Sequence, residues 1–281
     1  MKINLMRFVV ALLAIATVVW GSPAFAEAVN KEMNMQEAAS PVAEQLHHFH
    51  NFILMPIITA IVVFVLGLLI YVVIRFNAKA NPVPSKTTHN VPLEIIWTVI
   101  PVLILIIIVV PSFKLLYFSD RTHTPDMTLK VTGYQWYWGY EFPDNGDVNF
   151  LSYLVPEKDL DASKGQKRLL STDHPVLLPV DTNIQILVTA ADVIHAFTVP
   201  ALGFKVDAIP GHTNETWVRI TKPGVYFGQC SELCGKDHAY MPIEIHAVSK
   251  EEFDAWIANG GANVEQAALE TDTNNATTQE Q

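Results

Sequence analysis

The chain has 281 residues, half of them hydrophobic and only 16% charged, with a formal net charge of −10. So apolar a composition excludes an ordinary soluble domain, and the acidic balance excludes nucleic acid as a partner. What remains is an exported, membrane-anchored protein with enough chain left over for one packed domain.

The first 26 residues read as a secretory signal. Lys2 and Arg7 form its positive region, residues 8–20 its apolar region, and Ala24-Phe25-Ala26 a small-residue cleavage site. An uncleaved anchor is the alternative, but the apolar run is short for a span. A polar, mobile segment is expected over residues 27–44. No Asp, Glu, Lys or Arg occurs from residue 45 to residue 74, and residues 52–74 are long and apolar enough to cross a bilayer. A second span is expected over about 94–117, around a charge-free run at 95–113 with Trp97 and Tyr117 near the two interfaces. Pro56, Pro101 and Pro111 are tolerable there when neighbouring groups satisfy the freed backbone. The expected result is a transmembrane helical hairpin over residues 45–119.

The loop at 75–93 carries Arg75, Lys79 and Lys86 with no acid before Glu94, which assigns it to the cytoplasm. Both ends of the mature chain then face outward. His47, His48 and His50 lie just outside the first span and read as an interfacial cap, because no acidic or sulfur partner adjoins them.

From residue 120 onward the pattern changes. Runs at 127–133, 184–190, 197–200, 215–221, 225–229 and 243–248 read as strands. Turns are expected at Asp144-Asn145-Gly146-Asp147, at 159–165, at Pro210-Gly211 and at Lys222-Pro223-Gly224. This spacing predicts a β-sandwich or Greek-key barrel over residues 120–260. Ser249-Lys250-Glu251-Glu252 forms a capping box for a short helix that stops at Gly260-Gly261. The polar, acidic tail at 261–281 is expected to be disordered.

Chemistry concentrates between two of these strands. The only two cysteines stand in Cys230-Ser231-Glu232-Leu233-Cys234-Gly235-Lys236-Asp237-His238-Ala239-Tyr240-Met241, and a further imidazole, His195, comes from a separate connection. Thiolate, thioether and imidazole donors together suit copper, and a mononuclear blue-copper site needs only one cysteine. The second cysteine asks for two metals bridged by two sulfurs. A disulfide is the plain alternative for an exported pair, but so small a loop gains little from closure and leaves the histidines and Met241 unexplained. Zinc is less suited to methionine, and the Cys-x-x-Cys-His haem motif is missing. A second feature is the aromatic run Gly133-Tyr134-Gln135-Trp136-Tyr137-Trp138-Gly139-Tyr140, for which core packing is the simple reading.

From about residue 45 to residue 257 the chain resembles subunit II of the cytochrome c oxidases, the haem-copper terminal oxidases with a binuclear copper A centre. The resemblance implies a cupredoxin-like outer domain in the periplasm of a bacterial inner membrane. It implies that Cys230 and Cys234 bridge two coppers, that His195 and His238 each bind one, and that Met241 and the Glu232 carbonyl are the weak ligands. The residue matching Trp136 is where electrons enter from cytochrome c, so the aromatic run divides into an exposed Trp136 and structural neighbours. Glu232, through its carboxylate, resembles the ligand of a magnesium or manganese ion shared with subunit I, an ion suited to oxygen donors, and Asp207 resembles a residue at the same interface. Glu94 matches the acid at the mouth of a proton path into subunit I.

The implied function is transfer of electrons from cytochrome c to the haem of subunit I, for oxygen reduction coupled to proton pumping, in a complex with further membrane subunits. From Asp120 to the end there are 23 Asp and Glu against 11 Lys and Arg, a net of −12. Such a surface suits a basic cytochrome c, with Glu141, Asp144, Asp147, Asp173 and above all Asp192 as the docking acids. The copper domain of another reductase, or a copper-delivery protein, would share the ligands but has no need of the paired spans and the aromatic strip as well.

Overall fold

Ser40 starts the first helix. Its hydroxyl accepts the Ala43 N–H at 3.1 Å, and Pro41 stands where a missing N–H costs nothing. In this computed structural model, which describes residues 34–120 and 124–261, the helix α1 (Pro41–Arg75) runs for 35 residues with a π-helical stretch at His50–Leu54. It begins eleven residues ahead of the expected span because its first turns belong to the outer domain, where Val42 and Ala43 are buried. The expected signal at 1–26, residues 27–33 and the tail at 262–281 lie outside the described residues.

The expected mobile segment up to Glu44 requires a correction over its described part. Residues 34–40 form a strap bound to the outer domain: Ala39 N–H donates to the Ala201 carbonyl at 2.9 Å, and Thr221 N–H donates to the Ala39 carbonyl at 2.9 Å. Ser40 Oγ donates to the Leu202 carbonyl at 2.7 Å, and Glu37 pairs with Lys222. Gly203 (φ +78°) receives the helix, and a Cβ there would stand 2.7 Å from Ala43 N. Only glycine combines that left-handed backbone with so close an approach.

The second helix, α2 (Val91–Asp120), has 30 residues and contains Pro101 and Pro111. It outruns the expected 94–117 at both ends. Asn90 Oδ1 accepts the Leu93 N–H at 3.3 Å while Glu94 Oε1 accepts the Asn90 N–H at 3.1 Å, a reciprocal cap. The flanks of both helices are apolar and open, with Phe64 65% and Ile107 63% exposed, as suits lipid rather than water. The far end of α2 docks on the outer domain, where Trp217 Nε1 donates to the Phe118 carbonyl at 3.3 Å and the two rings meet edge to face.

Among the described residues the outer domain has ten strands. A five-stranded sheet takes β1 (Met127–Tyr134), β2 (Tyr137–Phe142), β3 (Val148–Ser152), β5 (Ile184–Ala190) and β8 (Asn214–Val218) in the order β3-β2-β1-β5-β8. A three-stranded sheet takes β4 (Val176–Pro179), β9 (Gly224–Gln229) and β10 (Pro242–Val248) in the order β4-β10-β9. The pair β6 (His195–Val199) and β7 (Phe204–Ala208) completes the set. Strict alternation drives the central strands: Leu129 and Val131 of β1 face inward with Ile186 and Val188 of β5, in parallel register. Each such buried side chain contributes about 1.5–3 kcal/mol of transfer free energy. Trp138, Tyr140, Phe142, Leu178 and Ile245 fill the space between the sheets. The helix α3 (Lys250–Ala258) closes one end, with the expected Ser249–Glu252 capping box formed.

The architecture is the expected one, a pair of apolar helices followed by an all-β, cupredoxin-like domain. Four strands lie outside the six expected runs: β2, which carries part of the aromatic run, and three more. β4 is buried along its whole length and shows no alternation, β3 is a half-open edge, and β7 lies just ahead of the expected Pro210-Gly211 turn.

Candidate metal centre

The loop at residues 230–241 is held at both ends by strands. Cys230 N–H donates to the Met241 carbonyl at 3.3 Å, which closes the loop where β9 and β10 diverge, and Ser231 N–H donates to the Ala196 carbonyl at 3.1 Å, which ties it to β6. His195, the first residue of β6, is fully buried beneath. All six expected ligand groups come together. The two Sγ atoms are 3.8 Å apart, with Glu232 O at 3.3 Å and His195 Nδ1 at 3.9 Å from Cys230 Sγ. His238 Nδ1 and Met241 Sδ each lie 3.5 Å from Cys234 Sγ.

Both thiols are free, and a disulfide requires about 2.0 Å between sulfurs. The donor set therefore fits soft metal ions held between the two sulfurs, with one imidazole for each. Burial opposes ionisation of Cys230, but hydrogen bonding to His195 and to the Ala196 and Glu232 backbone outweighs it and brings the thiol down to about 7. Burial and the neighbouring Cys230 thiolate push Cys234 up to about 12. Without metal the pair keeps a proton that metal binding must release.

His195 is oriented from behind. Its Nε2 lies 2.9 Å from Asp192 Oδ1, and the Asp192 carboxylate also accepts the Gln135 N–H at 2.7 Å and the Val193 N–H at 2.6 Å. Burial would raise the Asp192 carboxyl, but the bonds from His195, Val193 and Gln135 hold it below the usual carboxylate range. A carboxylate behind a ligand histidine fixes the tautomer and the ring plane. The indole of Trp138, fully buried, meets the His195 ring edge to face at 5.9 Å and donates Nε1–H to the Met241 carbonyl at 3.3 Å.

In the aromatic run Trp138 is buried, whereas Trp136, expected to be exposed, is as half-buried as Tyr134 and Tyr137. Trp136 is half-buried at the surface, and its Nε1–H donates to the Cys234 carbonyl at 3.3 Å, a carbonyl that also accepts Gln135 Nε2 at 2.8 Å. Gly235 (φ +127°) lets the loop lie against the indole, since a Cβ there would fall 2.9 Å from Trp136 Cζ2. Tyr137 stacks between Tyr134 and Tyr153 at 4.8 and 4.6 Å. Gln135 and Lys236 have no signal of their own in the sequence beyond the adjacency of Gln135 to Trp136 and the place of Lys236 in the metal loop.

Glu232 and Asp207 line one groove of about 600 Å³ with Asp120 and Trp217, between the outer end of α2 and the metal loop. Glu94 lies in the first turn of α2, remote from this groove.

The five expected docking acids are spread over the outer domain. Asp144 and Asp147 sit in the turn after β2, whereas Trp136 precedes β2, and a six-residue strand carries them about 20 Å away. Glu141 is paired with Lys130 at 2.7 Å on the flank of the sheet. Asp173 stays at the metal end, accepting the Tyr153 N–H at 2.8 Å beside the tyrosine stack. Asp192 is 33% exposed in its side chain, with its oxygens engaged as described.

Known proteins similar to this chain fall in one family. The family described as cytochrome C oxidase subunit II, periplasmic domain, matches residues 127–248, and the family described as cytochrome C oxidase subunit II, transmembrane domain, matches residues 28–115. The probable cytochrome c oxidase subunit 2 of Rickettsia bellii (strain RML369-C) is 51% identical over 255 residues, covering 90% of this chain and 93% of that protein. Cytochrome c oxidase subunit 2 of Cereibacter sphaeroides is 46% identical over 244 residues, covering 80% of each. The crystal structure of the periplasmic domain of subunit II of cytochrome oxidase of Bradyrhizobium japonicum is 48% identical, covering 50% of this chain and 97% of that one, with a TM-score of 0.46.

Proposed function

The chain belongs to the cytochrome c oxidase subunit II family, and from that premise we propose that it is the electron-accepting subunit of its oxidase, taking single electrons from cytochrome c and passing them to the haem of subunit I. Oxygen is reduced to water in the partner subunit, with protons pumped across a bacterial inner membrane and the β domain in the periplasm. The observation that carries the reading is the convergence of two thiols, two imidazoles, a thioether and a carbonyl within 3.3–3.9 Å of a cysteine sulfur. Two coppers held by His195, Cys230, Glu232, Cys234, His238 and Met241 would supply a one-electron acceptor there.

The protein's own contribution is rigidity and exclusion of water. Cys230, Cys234, Met241 and His195 are all buried, and the loop is tied to three strands, so the ligands have little freedom to move when charge changes. Asp192 holds the His195 ring in one plane. Trp136 gives the donor an aromatic surface bonded directly to the backbone of a ligand cysteine. Glu232 offers an oxygen donor for a magnesium or manganese ion facing subunit I, Asp207 lines the same groove, and Glu94, at the cytoplasmic end of α2, feeds protons into that subunit.

Trp136→Phe tests the electron route. It keeps most of the apolar area but removes the N–H that reaches the Cys234 carbonyl. In rapid mixing of the assembled oxidase with reduced cytochrome c, electron arrival should slow while metal content stays unchanged. Unaltered kinetics would leave Trp136 with a packing role alone.

A further inference from the structure

One side chain on the metal loop itself, residues 230–241, has the wrong sign for an acidic setting. Lys236 follows Gly235 and swings back over the indole, with Nζ 5.2 Å from the Trp136 ring centroid and 3.0 Å from Asp237 Oδ2. It is 77% exposed in its side chain, so an ammonium covers the outer face of the ring while the loop backbone lies against the ring's edge. A cation over an indole is attracted by the ring's negative face, more weakly in water than when desolvated, so the contact is a resting position. Asp237 pairs with it, Asp192 accepts the backbone N–H of Gln135 next to the indole, and the apolar Leu233, 78% exposed, and Ile194 adjoin the ligands Cys234 and His195 in sequence.

We propose that Lys236 is a specificity-determining residue, one that selects a donor whose basic residues ring its electron-exit edge and whose centre is apolar or acidic. This rests on Trp136 being the place where the donor's electron leaves it. The physical reason is arithmetic. Two like charges about 10 Å apart in water cost a factor of roughly two in an equilibrium, so one cation resting at the entry ring and opposed by several lysines costs roughly several-fold at low salt. A donor with a lysine over its centre meets that penalty at its shortest distance. A donor with a basic ring meets the surrounding carboxylates first, and its apolar centre lands on Leu233, Ile194 and the indole. The cation thus sets where on the acidic face a partner can sit, a negative choice made by repulsion rather than by added attraction.

The test uses the assembled oxidase with a cytochrome c whose lysines ring the haem edge, and reads the second-order association rate against ionic strength. Lys236→Met keeps the stem of the side chain and removes the charge; its rate should rise roughly threefold at about 0.01 M salt and converge on the parent's as screening shortens to roughly 3 Å near 1 M. Lys236→Glu should rise further, and Lys236→Arg should match the parent. A cytochrome carrying an added acidic residue at its contact centre should reverse the order and prefer the parent to Lys236→Met. Rates for Lys236→Met and Lys236→Glu equal to the parent's, while the parent keeps a steep salt dependence, would overturn the inference and leave the docking reading intact. So would a loss of metal or a uniform fall in rate at every salt concentration, which would make Lys236 a part of the loop's structure. A parent oxidase with no salt dependence and normal electron arrival in Trp136→Phe would overturn both.

Discussion

Replacing Gly203 by alanine should unfasten the membrane helices from the outer domain. Two effects add at this position. The backbone has φ +78°, where an L side chain costs about 1–2 kcal/mol. The new Cβ would also stand 2.7 Å from Ala43 N and 2.8 Å from Ala43 Cα, backbone atoms that cannot swing aside, and forced overpacking of that kind costs about 1–3 kcal/mol. Gly146 is the control for a left-handed glycine away from the strap. It has nearly the same φ, +76°, but nothing lies within 4 Å of its Cβ position, so Gly146→Ala bears the backbone cost alone. The assay is hydrogen exchange at the amides of Ala39 and Thr221, whose bonds fasten the strap. Gly203→Ala should speed both by about 10-fold or more, since roughly 1.4 kcal/mol is a factor of ten. Gly146→Ala should leave them unchanged, because its strain is far from the strap. Equal exchange in the two variants would refute the claim that Gly203 is the seat of α1.

Asp192→Ala removes the acceptor behind His195 and strands three donors, so copper affinity measured by chelator competition should fall about 10–100-fold; unchanged affinity would mean that β6 alone holds the ring. Asp144→Asn with Asp147→Asn should leave the salt dependence of cytochrome c association unaltered, while Asp173→Asn should flatten it; the opposite pattern would put the docking face at the far end of the sheet. Glu94→Gln preserves the shape of the α2 cap, so assembly should persist while turnover falls and electron arrival at the metal centre stays normal. Full turnover in that variant would reduce Glu94 to a helix cap.

The parts legible in the sequence are those where one physical signal dominates. The alternation in β1 and β5, the charge-free runs of α1 and α2, and the Cys230–Met241 spacing each had a single strong reading. What escaped notice was set by the rest of the chain. β4 has no alternation because both its faces are covered, and it becomes a strand only through β10 beside it. The strap at 34–40 is polar and short, and its order comes from carbonyls and amides at residues 201, 202 and 221. Asp144 and Asp147 are near the aromatic run in sequence, yet an extended strand turns six residues into the length of the domain. Asp192 was singled out for its charge, and the three-residue spacing to His195 was the sign of its closer role.

The central claim, that two coppers share two sulfurs, is met most directly by the outer domain, residues 124–261, prepared without its helices, reduced and loaded with copper. Metal analysis with electron paramagnetic resonance should show two coppers per chain and one unpaired electron coupled equally to two copper nuclei, a signal that Cys230→Ser abolishes. One copper per chain, zinc in its place, or coupling to a single nucleus would contradict the binuclear centre.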